Sequence, residues 1–302
     1  MRNVRRRASF WALVAALVGG AGCDRSEVEA LNLAQQGDEM LRTDLEGAIS
    51  KYEQATKLHD RNPLLFHKLA SAYEKKEAWD KVAAAMATAS RLRPKNATYL
   101  FKRGKALAMQ AEKGPTAWSE PREPLEKCIA ADPNYDDCYF LLGEVMLRLD
   151  DEQRALENYT KAIQHDPQEL TYYAPLADLY LNLGLYDQAA AVLKEGQSFA
   201  APGKVGVYGL HERMAAVHQA KGDTNAMVSE LEKARRADAE GHHPEVLFSL
   251  GSAYAVQKPP NRQQALQMLK TFQSLGCKGA KAQTLKPQCE QAQALVADLQ
   301  KS

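Results

Sequence analysis

A spaced set of apolar and small residues fills residues 136–167 and then recurs along the chain. Its members lie on one face of a first helix and on one face of a second: Tyr139, Leu142, Gly143, Met146, Ala155, Tyr159 and Ala162. Spacings of three and four residues place side chains on a single face of an α-helix. The small side chains at Gly143, Ala155 and Ala162 would let the two helices approach closely. The stretch therefore predicts a pair of antiparallel helices, and Pro167 begins the next pair.

Similar sets of residues occur on both sides of this stretch at nearly the same spacings. The upstream copy contains Phe66, Leu69, Ala70, Tyr73, Val82, Met86, Ala89 and Pro94, and the downstream copy contains Tyr173, Leu176, Ala177, Tyr180, Ala189, Leu193 and Gly196. Weaker copies that include Gly37, Gly104, Gly222 and Gly251 bring the total to seven. A fixed period indicates a repeat architecture in which each unit packs on its neighbours.

These positions resemble the tetratricopeptide repeat, whose period is about 34 residues. The resemblance covers residues 28–275 and implies an all-α, right-handed α-solenoid of about seven helix pairs. Residues 276–302 follow as a loop and a helix that would cap the last apolar face, as solenoids require. The capping helix is expected near residues 287–300, because Ala292, Leu295 and Leu299 form an amphipathic pattern there.

Residues 1–22 have the pattern of a bacterial export signal. Basic residues up to Arg7 precede an apolar run, residues 10–18, that is too short to span a bilayer. Small residues then lead directly to Cys23, and this resembles the lipobox, in which the cysteine receives a lipid. Gly20 departs from the Leu or Val that is usual at its position. We predict lipid attachment at Cys23 and a linker over residues 23–27; the alternative is a plain secretory signal cleaved nearby.

The lipobox resemblance implies a membrane-anchored lipoprotein that faces the periplasm. The outer membrane is expected, although Asp24 resembles an inner-membrane retention signal, which leaves the inner membrane open. Four of the 39 basic residues precede Cys23 and none of the 38 acidic residues does, so the rest of the chain has a net charge of −3. Nucleic acid is therefore not expected as a partner.

Four further cysteines form two local pairs, Cys128 with Cys138 and Cys277 with Cys289. An even number of cysteines in an exported protein favours disulfides, each of which would stabilise the fold by about 2–4 kcal/mol. The alternative is four buried thiols. Neither pair has the short spacing of a zinc site, so no metal is expected.

The sequence contains no motif for a catalytic nucleophile, a phosphate-binding loop or a metalloprotease. No catalytic residue and no cofactor is therefore predicted. Seven tyrosines occupy positions where the repeat needs large core side chains: Tyr52, Tyr73, Tyr139, Tyr159, Tyr173, Tyr180 and Tyr254. The chain is expected to bind other proteins rather than to act as an enzyme.

In tetratricopeptide-repeat proteins the first helix of each pair lines a concave groove. The resemblance places these side chains on that groove: His67, Phe101, Lys105, Met109, Phe140, Glu144, Leu147, Arg148, Asp178, Asn182 and Phe248. Exposed apolar patches rimmed by charge mark interaction sites, and a partner's helix or extended segment could dock there. The alternative is that these side chains pack against neighbouring helices.

Taken together, the leader and the repeats resemble the repeat lipoproteins of type IV pilus secretin assembly and outer-membrane biogenesis. This resemblance implies a scaffold that binds protein partners to assemble or stabilise an envelope machine. The alternatives are an adaptor that recruits or regulates cell-wall enzymes, or a soluble secreted repeat protein.

Overall fold

The computed structural model describes residues 25–114, 116–238 and 240–301, and these residues contain helices and no strands. The predicted lipid site Cys23 lies outside the described residues. The first helix begins at Arg25, inside the stretch that was predicted to be a linker, so that part of the prediction is wrong. Within the described residues, no helix combines the length and the apolar character needed to cross a membrane.

The chain divides into two compact units between Pro133 and Asn134. The first unit contains three helix pairs, and consecutive helices pack against each other. Its helices are α1 (Arg25–Met40), α2 (Leu45–Leu58), α3 (Pro63–Lys75), α4 (Trp79–Leu92), α5 (Ala97–Glu112) and α6 (Arg122–Ala131).

The second unit contains four helix pairs followed by a C-terminal helix. Its helices are α7 (Asp136–Arg148), α8 (Glu152–His165), α9 (Tyr173–Asn182), α10 (Tyr186–Ser198), α11 (Val207–Ala220), α12 (Thr224–Ala237), α13 (Glu245–Val256), α14 (Arg262–Leu275), the short α15 (Lys281–Thr284) and α16 (Lys286–Lys301). A single turn of 3-10 helix, Leu170–Tyr172, precedes α9. The predicted all-α fold of about seven helix pairs is thus confirmed in the described part of the chain.

Several helices begin at an Asp or Asn whose side chain accepts a hydrogen bond from the first turn. Asn62 accepts from the amide of Leu64 at 3.0 Å, and Asn96 accepts from the amide of Tyr99 at 3.0 Å. The first amides of a helix lack partners within the helix, and such a cap is worth about 1 kcal/mol. These two caps fix where the second and third helix pairs start.

Close approach within the helix pairs depends on glycine, as the sequence predicted for Gly143. A Cβ atom on Gly143 would lie 2.7 Å from the ring of Tyr159, which is fully buried. In the first pair, a Cβ atom on Gly37 would lie 2.7 Å from the ring of Tyr52. Because a real side chain cannot tolerate such a distance, glycine lets the tyrosine ring fill the space between the two helices.

The prediction that seven tyrosines form the core is confirmed for six of them. These six are buried: Tyr52, Tyr73, Tyr139, Tyr159, Tyr173 and Tyr254. Tyr180 is only half-buried, so the prediction is wrong for that residue. It lies near the C-terminal end of α9, where the surrounding chain is more exposed.

The loop between α5 and α6 runs from residue 113 to residue 121. Ala111 is buried in the last turn of α5, and α6 begins at Arg122. Gln110 donates a hydrogen bond to the carbonyl of Trp79 at 3.0 Å and accepts one from Thr116 at 3.1 Å. These bonds hold the loop against the second helix pair.

The C-terminal helix α16 lies close to its predicted bounds and packs against α14 and α13. The predicted disulfide between Cys277 and Cys289 is present, with 5.7 Å between the Cα atoms. It ties the loop after α14 to the first turn of α16. Cys128 and Cys138 are both fully buried, and their pairing stays a prediction.

Candidate partner-binding face

Every predicted partner-binding residue lies on the first helix of a pair. We call the surface of α1, α3 and α5 in the first unit, and that of α7, α9, α11 and α13 in the second, the first-helix face of each unit. The predicted residues are His67 on α3; Phe101, Lys105 and Met109 on α5; Phe140, Glu144, Leu147 and Arg148 on α7; Asp178 and Asn182 on α9; and Phe248 on α13. Arg148 and Asn182 are exposed. The others are half-buried, so the apolar members are less open than expected.

In the first unit, the carboxylate of Glu74 joins α3 to α5. It accepts hydrogen bonds from the ammonium groups of Lys105 at 2.7 Å and Lys102 at 3.1 Å. Burial alone would raise the pKa of Glu74, but these two hydrogen bonds outweigh burial and lower the pKa. The side chain of Lys105 is 41% exposed, so its charge also remains accessible to a partner.

A second ion pair joins α1 to α3, where the ammonium group of Lys68 lies 2.6 Å from the carboxylate of Asp38. Beside it, the ring of His67 lies 5.5 Å from the ring of Tyr99, centroid to centroid. Burial, followed by the positive charges of Lys102 and Lys68, lowers the pKa of His67. The imidazole is therefore neutral at pH 7 and contributes an aromatic surface rather than a charge.

In the second unit, two predicted residues also pack within the fold. The ring of Phe140 stacks on Tyr172 with 4.7 Å between centroids, and it meets Tyr159 at a tilt with 5.8 Å between centroids. The hydroxyl of Tyr159 donates a hydrogen bond to Glu144 at 2.7 Å. The alternative that these side chains pack against neighbouring helices therefore describes Phe140, which leaves only part of its ring for a partner.

Asp178 joins α9 to α11, because it accepts hydrogen bonds from Nη2 and Nε of Arg213 at 3.1 and 3.2 Å. Phe248 lies elsewhere on the face. Its ring is 5.5 Å from the ring of Phe272 on α14, and both belong to the apolar cluster under α16. Phe248 thus contributes to the seat of the C-terminal helix.

Four charged residues of these ion pairs were missed in the sequence: Asp38, Lys68, Lys102 and Arg213. A signal for them exists, because opposite charges on the first-helix face recur about one repeat apart. Asp38 and Lys68 are 30 residues apart, and Glu74 and Lys105 are 31 residues apart. Asp178 and Arg213 are 35 residues apart. Searching the sequence for opposite charges at the repeat period would have found all three.

The first-helix face of each unit offers paired charges beside half-buried apolar side chains. The described residues contain no group of three His, Cys, Asp or Glu side chains that could hold a metal ion. A charged group of a partner can replace one member of an exposed ion pair. Covering half-buried apolar side chains stabilises a complex. The chemistry available here is therefore that of a protein-binding surface.

Comparison with known families agrees with the repeated helix pairs. Residues 150–202, which run from the turn before α8 to the loop after α10, match the model of the tetratricopeptide repeat (TPR) family. This match agrees with the resemblance to tetratricopeptide repeats that the sequence predicts. The match includes Ala155, Tyr159 and Ala162, which are buried in α8.

Solved TPR structures have the same fold at low sequence identity. A TPR protein from Parabacteroides merdae is 16% identical, with a TM-score of 0.59, and the match covers 91% of this chain and 100% of that one. The C-terminal part of a TPR protein from Cytophaga hutchinsonii is 16% identical, with a TM-score of 0.62 and coverage of 82% and 97%. PilF of Pseudomonas aeruginosa is 15% identical, with a TM-score of 0.57 and coverage of 78% and 100%.

No curated protein is significantly similar to the chain in sequence. The TPR fold is typically a non-catalytic scaffold whose stacked repeats present an extended surface to protein partners. The first-helix faces described above are the corresponding surfaces in this chain. That the chain has no enzymatic activity stays a prediction.

Proposed function

We propose that the first-helix face binds a protein partner, and that the chain is a periplasm-facing, membrane-anchored scaffold that helps to assemble or stabilise an envelope machine. The proposal is supported by the ion pairs that join successive first helices. Asp38 with Lys68, Glu74 with Lys105 and Asp178 with Arg213 each link one TPR to the next. In the first unit these charges link all three first helices, and in the second unit they link α9 to α11.

The partner segment is expected to carry both charged and apolar side chains. Met109 on α5 and Leu147 on α7 are half-buried and lie on the first-helix face. Covering such side chains stabilises a complex by about 25 cal/mol per Å² of apolar area. A carboxylate of the partner could also replace Glu74 at the exposed ammonium group of Lys105. A helix or an extended segment of a protein meets both requirements.

The anchor part of the proposal depends on Cys23 and on the resemblance of residues 1–22 to a lipoprotein signal. Because α1 begins at Arg25, only one residue separates the lipidated Cys23 from the first helix. A tether this short would keep the first unit next to the membrane surface. The kind of machine is proposed from the resemblance to repeat lipoproteins of pilus-secretin assembly and outer-membrane biogenesis.

The test is complementation of a deletion in the native host. The strains express wild type, Cys23→Ala, the face variant Met109→Glu/Leu147→Glu, or the control variant Leu58→Glu/Leu275→Glu. The control makes the same chemical change at exposed positions on the second helices α2 and α14. Each strain is labelled with a palmitate analogue, and its envelope complexes, including secretin multimers, are quantified in separated membranes.

The wild type and the control variant are expected to take up label and to restore the complexes. Cys23→Ala is expected to lose the label and leave the membrane, and the face variant is expected to keep the label but not restore the complexes. An unlabelled wild type would overturn the anchor. Envelope complexes that survive the deletion unchanged would overturn the role in assembly.

A further inference from the structure

A cleft of about 740 Å³ lies in the first unit. It is bounded by the end of α4, the start of α5 and the second half of α6. Four basic residues line it, Arg91, Lys95, Arg103 and Lys127, and no acidic residue among the described residues does. None of the predicted partner-binding residues lines this cleft.

The positive charge of the cleft is only partly neutralised. Glu123 lies 3.7 Å from Arg103 and also forms an ion pair with Lys127. Arg91 and Lys95 form no ion pair with any part of the chain that the structure describes. Arg91 lies in the last turn of α4, where a basic side chain complements the helix dipole. Lys95, Arg103 and Lys127 do not lie in the last turn of a helix, so the helix dipole does not account for them.

The floor of the cleft is apolar. Leu100 is 2% exposed and lies beneath it, and Pro94 forms part of its wall. The hydroxyl of Ser90 donates a hydrogen bond to the carbonyl of Ala87 at 3.1 Å and is therefore satisfied within α4. An apolar floor inside a basic rim suits a ligand that has both apolar and acidic groups.

We propose that this cleft binds an acidic, extended segment of a partner protein, with carboxylates at the four basic residues and an apolar side chain over Leu100. Its volume lies within the range of about 300–1,000 Å³ of ligand sites, so it is larger than a single carboxylate requires. Charge complementarity selects an acidic segment over a basic or neutral one. This second surface lies beyond the proposed function, because it involves α4 and α6 and a different side of α5.

The test measures binding of a short fluorescein-labelled peptide of alternating glutamate and leucine by fluorescence anisotropy. The cleft variant is Arg91→Gln/Lys95→Gln. The control variant is Lys57→Gln/Arg61→Gln, which removes the same charge from exposed residues of the first unit that line no part of the cleft. Because both variants change exposed residues, each is expected to fold, and circular dichroism checks this.

The cleft variant is expected to bind the peptide about fivefold more weakly than wild type, because it loses two exposed ion pairs and each of these is individually weak. The control variant is expected to stay within about twofold, and a peptide with glutamine in place of glutamate is expected not to bind. Equal weakening by both variants would show non-specific attraction and overturn the proposal, as would no binding to wild type.

One more variant separates this proposal from the proposed function. Met109→Glu/Leu147→Glu changes the first-helix face and leaves the lining of the cleft intact. It is expected to bind the acidic peptide about as well as wild type does. Loss of peptide binding in this variant would place the peptide on the first-helix face and overturn the cleft as a separate site.

Discussion

Buried tyrosine hydroxyls in this chain donate to carboxylates on the neighbouring helix. Tyr52 donates to Asp38 at 2.7 Å, and Tyr254 donates to Glu232 at 2.8 Å. Burial, followed by the hydrogen bond to the carboxylate, raises the pKa of Tyr254 to about 12. A buried hydroxyl without a hydrogen-bond partner would lower the stability of the fold by about 1–3 kcal/mol. These carboxylates therefore help to stabilise the core.

The sequence predicted the tyrosines of the core but not their acceptors. Tyrosine positions follow from the repeat, because each ring fills the same gap between helices. The acceptor varies, since Tyr159 donates to a residue of the preceding helix 15 positions earlier, whereas Tyr254 donates to one 22 positions earlier. Which carboxylate a hydroxyl reaches depends on the rotamers of both side chains, and residue spacing does not determine them.

The close approach at Gly143 gives the first prediction. Gly143→Ala is expected to lower the stability of the protein by about 1 kcal/mol, because the new methyl group would overlap the ring of Tyr159. Gly209→Ala in α11 is the control, since a Cβ atom there would meet its nearest atom at 3.6 Å. Gly209→Ala is expected to be more stable than wild type by up to about 1 kcal/mol, because alanine has the higher helix propensity. Urea unfolding measures both; equal gains in the two variants would contradict the tight packing at Gly143.

At the scale of elements, a polar network joins three consecutive helices of the second unit. The carboxylate of Glu230 on α12 lies 2.7 Å from Nδ1 of His211 on α11 and 3.3 Å from the side-chain nitrogen Nε2 of Gln197 on α10. Lys233 donates to Glu230 at 2.6 Å. Burial alone would raise the pKa of Glu230, but the hydrogen bonds from His211 and Lys233 outweigh it and lower the pKa to about 2.

This network makes stability depend on pH. Because the pKa of Glu230 falls from 4.5 to about 2 on folding, its carboxylate stabilises the fold above pH 4.5, and that contribution is lost as the pH falls towards 2. Glu230→Gln is expected to be less stable than wild type by about 2 kcal/mol at pH 7. Thermal unfolding should show that this difference shrinks between pH 4.5 and pH 2. A difference that stays constant over this range would contradict the prediction, and Glu157→Gln, at an exposed position, serves as the control.

The repeat period predicted which elements form, because each helix pair has the same small and large residues at the same positions. The prediction failed where the sequence leaves the repeat. The loop after α5 is longer than the loops within the other pairs, so the repeat pattern does not predict its length. The start of α1 was missed for a similar reason, since residues before Val28 carry no repeat signal.

At the scale of the whole molecule, the resemblance to TPR proteins predicts which helices carry the proposed binding face but not which ion pairs lie on it. Its ion pairs connect residues about 30 to 35 positions apart, and the pattern within a single helix does not show them. The cleft with Arg91 and Lys127 was also missed. It is formed by three helices, and its basic residues do not form one run in the sequence.

Photocrosslinking in the native host tests most directly whether the first-helix face is where partners bind. A benzophenone amino acid is placed at Met109 or Leu147 on first helices, or at the exposed positions Lys57 and Lys194 on the second helices α2 and α10. We predict a discrete crosslinked product from Met109 and Leu147, containing the same partner, and none from Lys57 or Lys194. Crosslinks that form only at Lys57 and Lys194, or equally at all four positions, would contradict binding on the first-helix face.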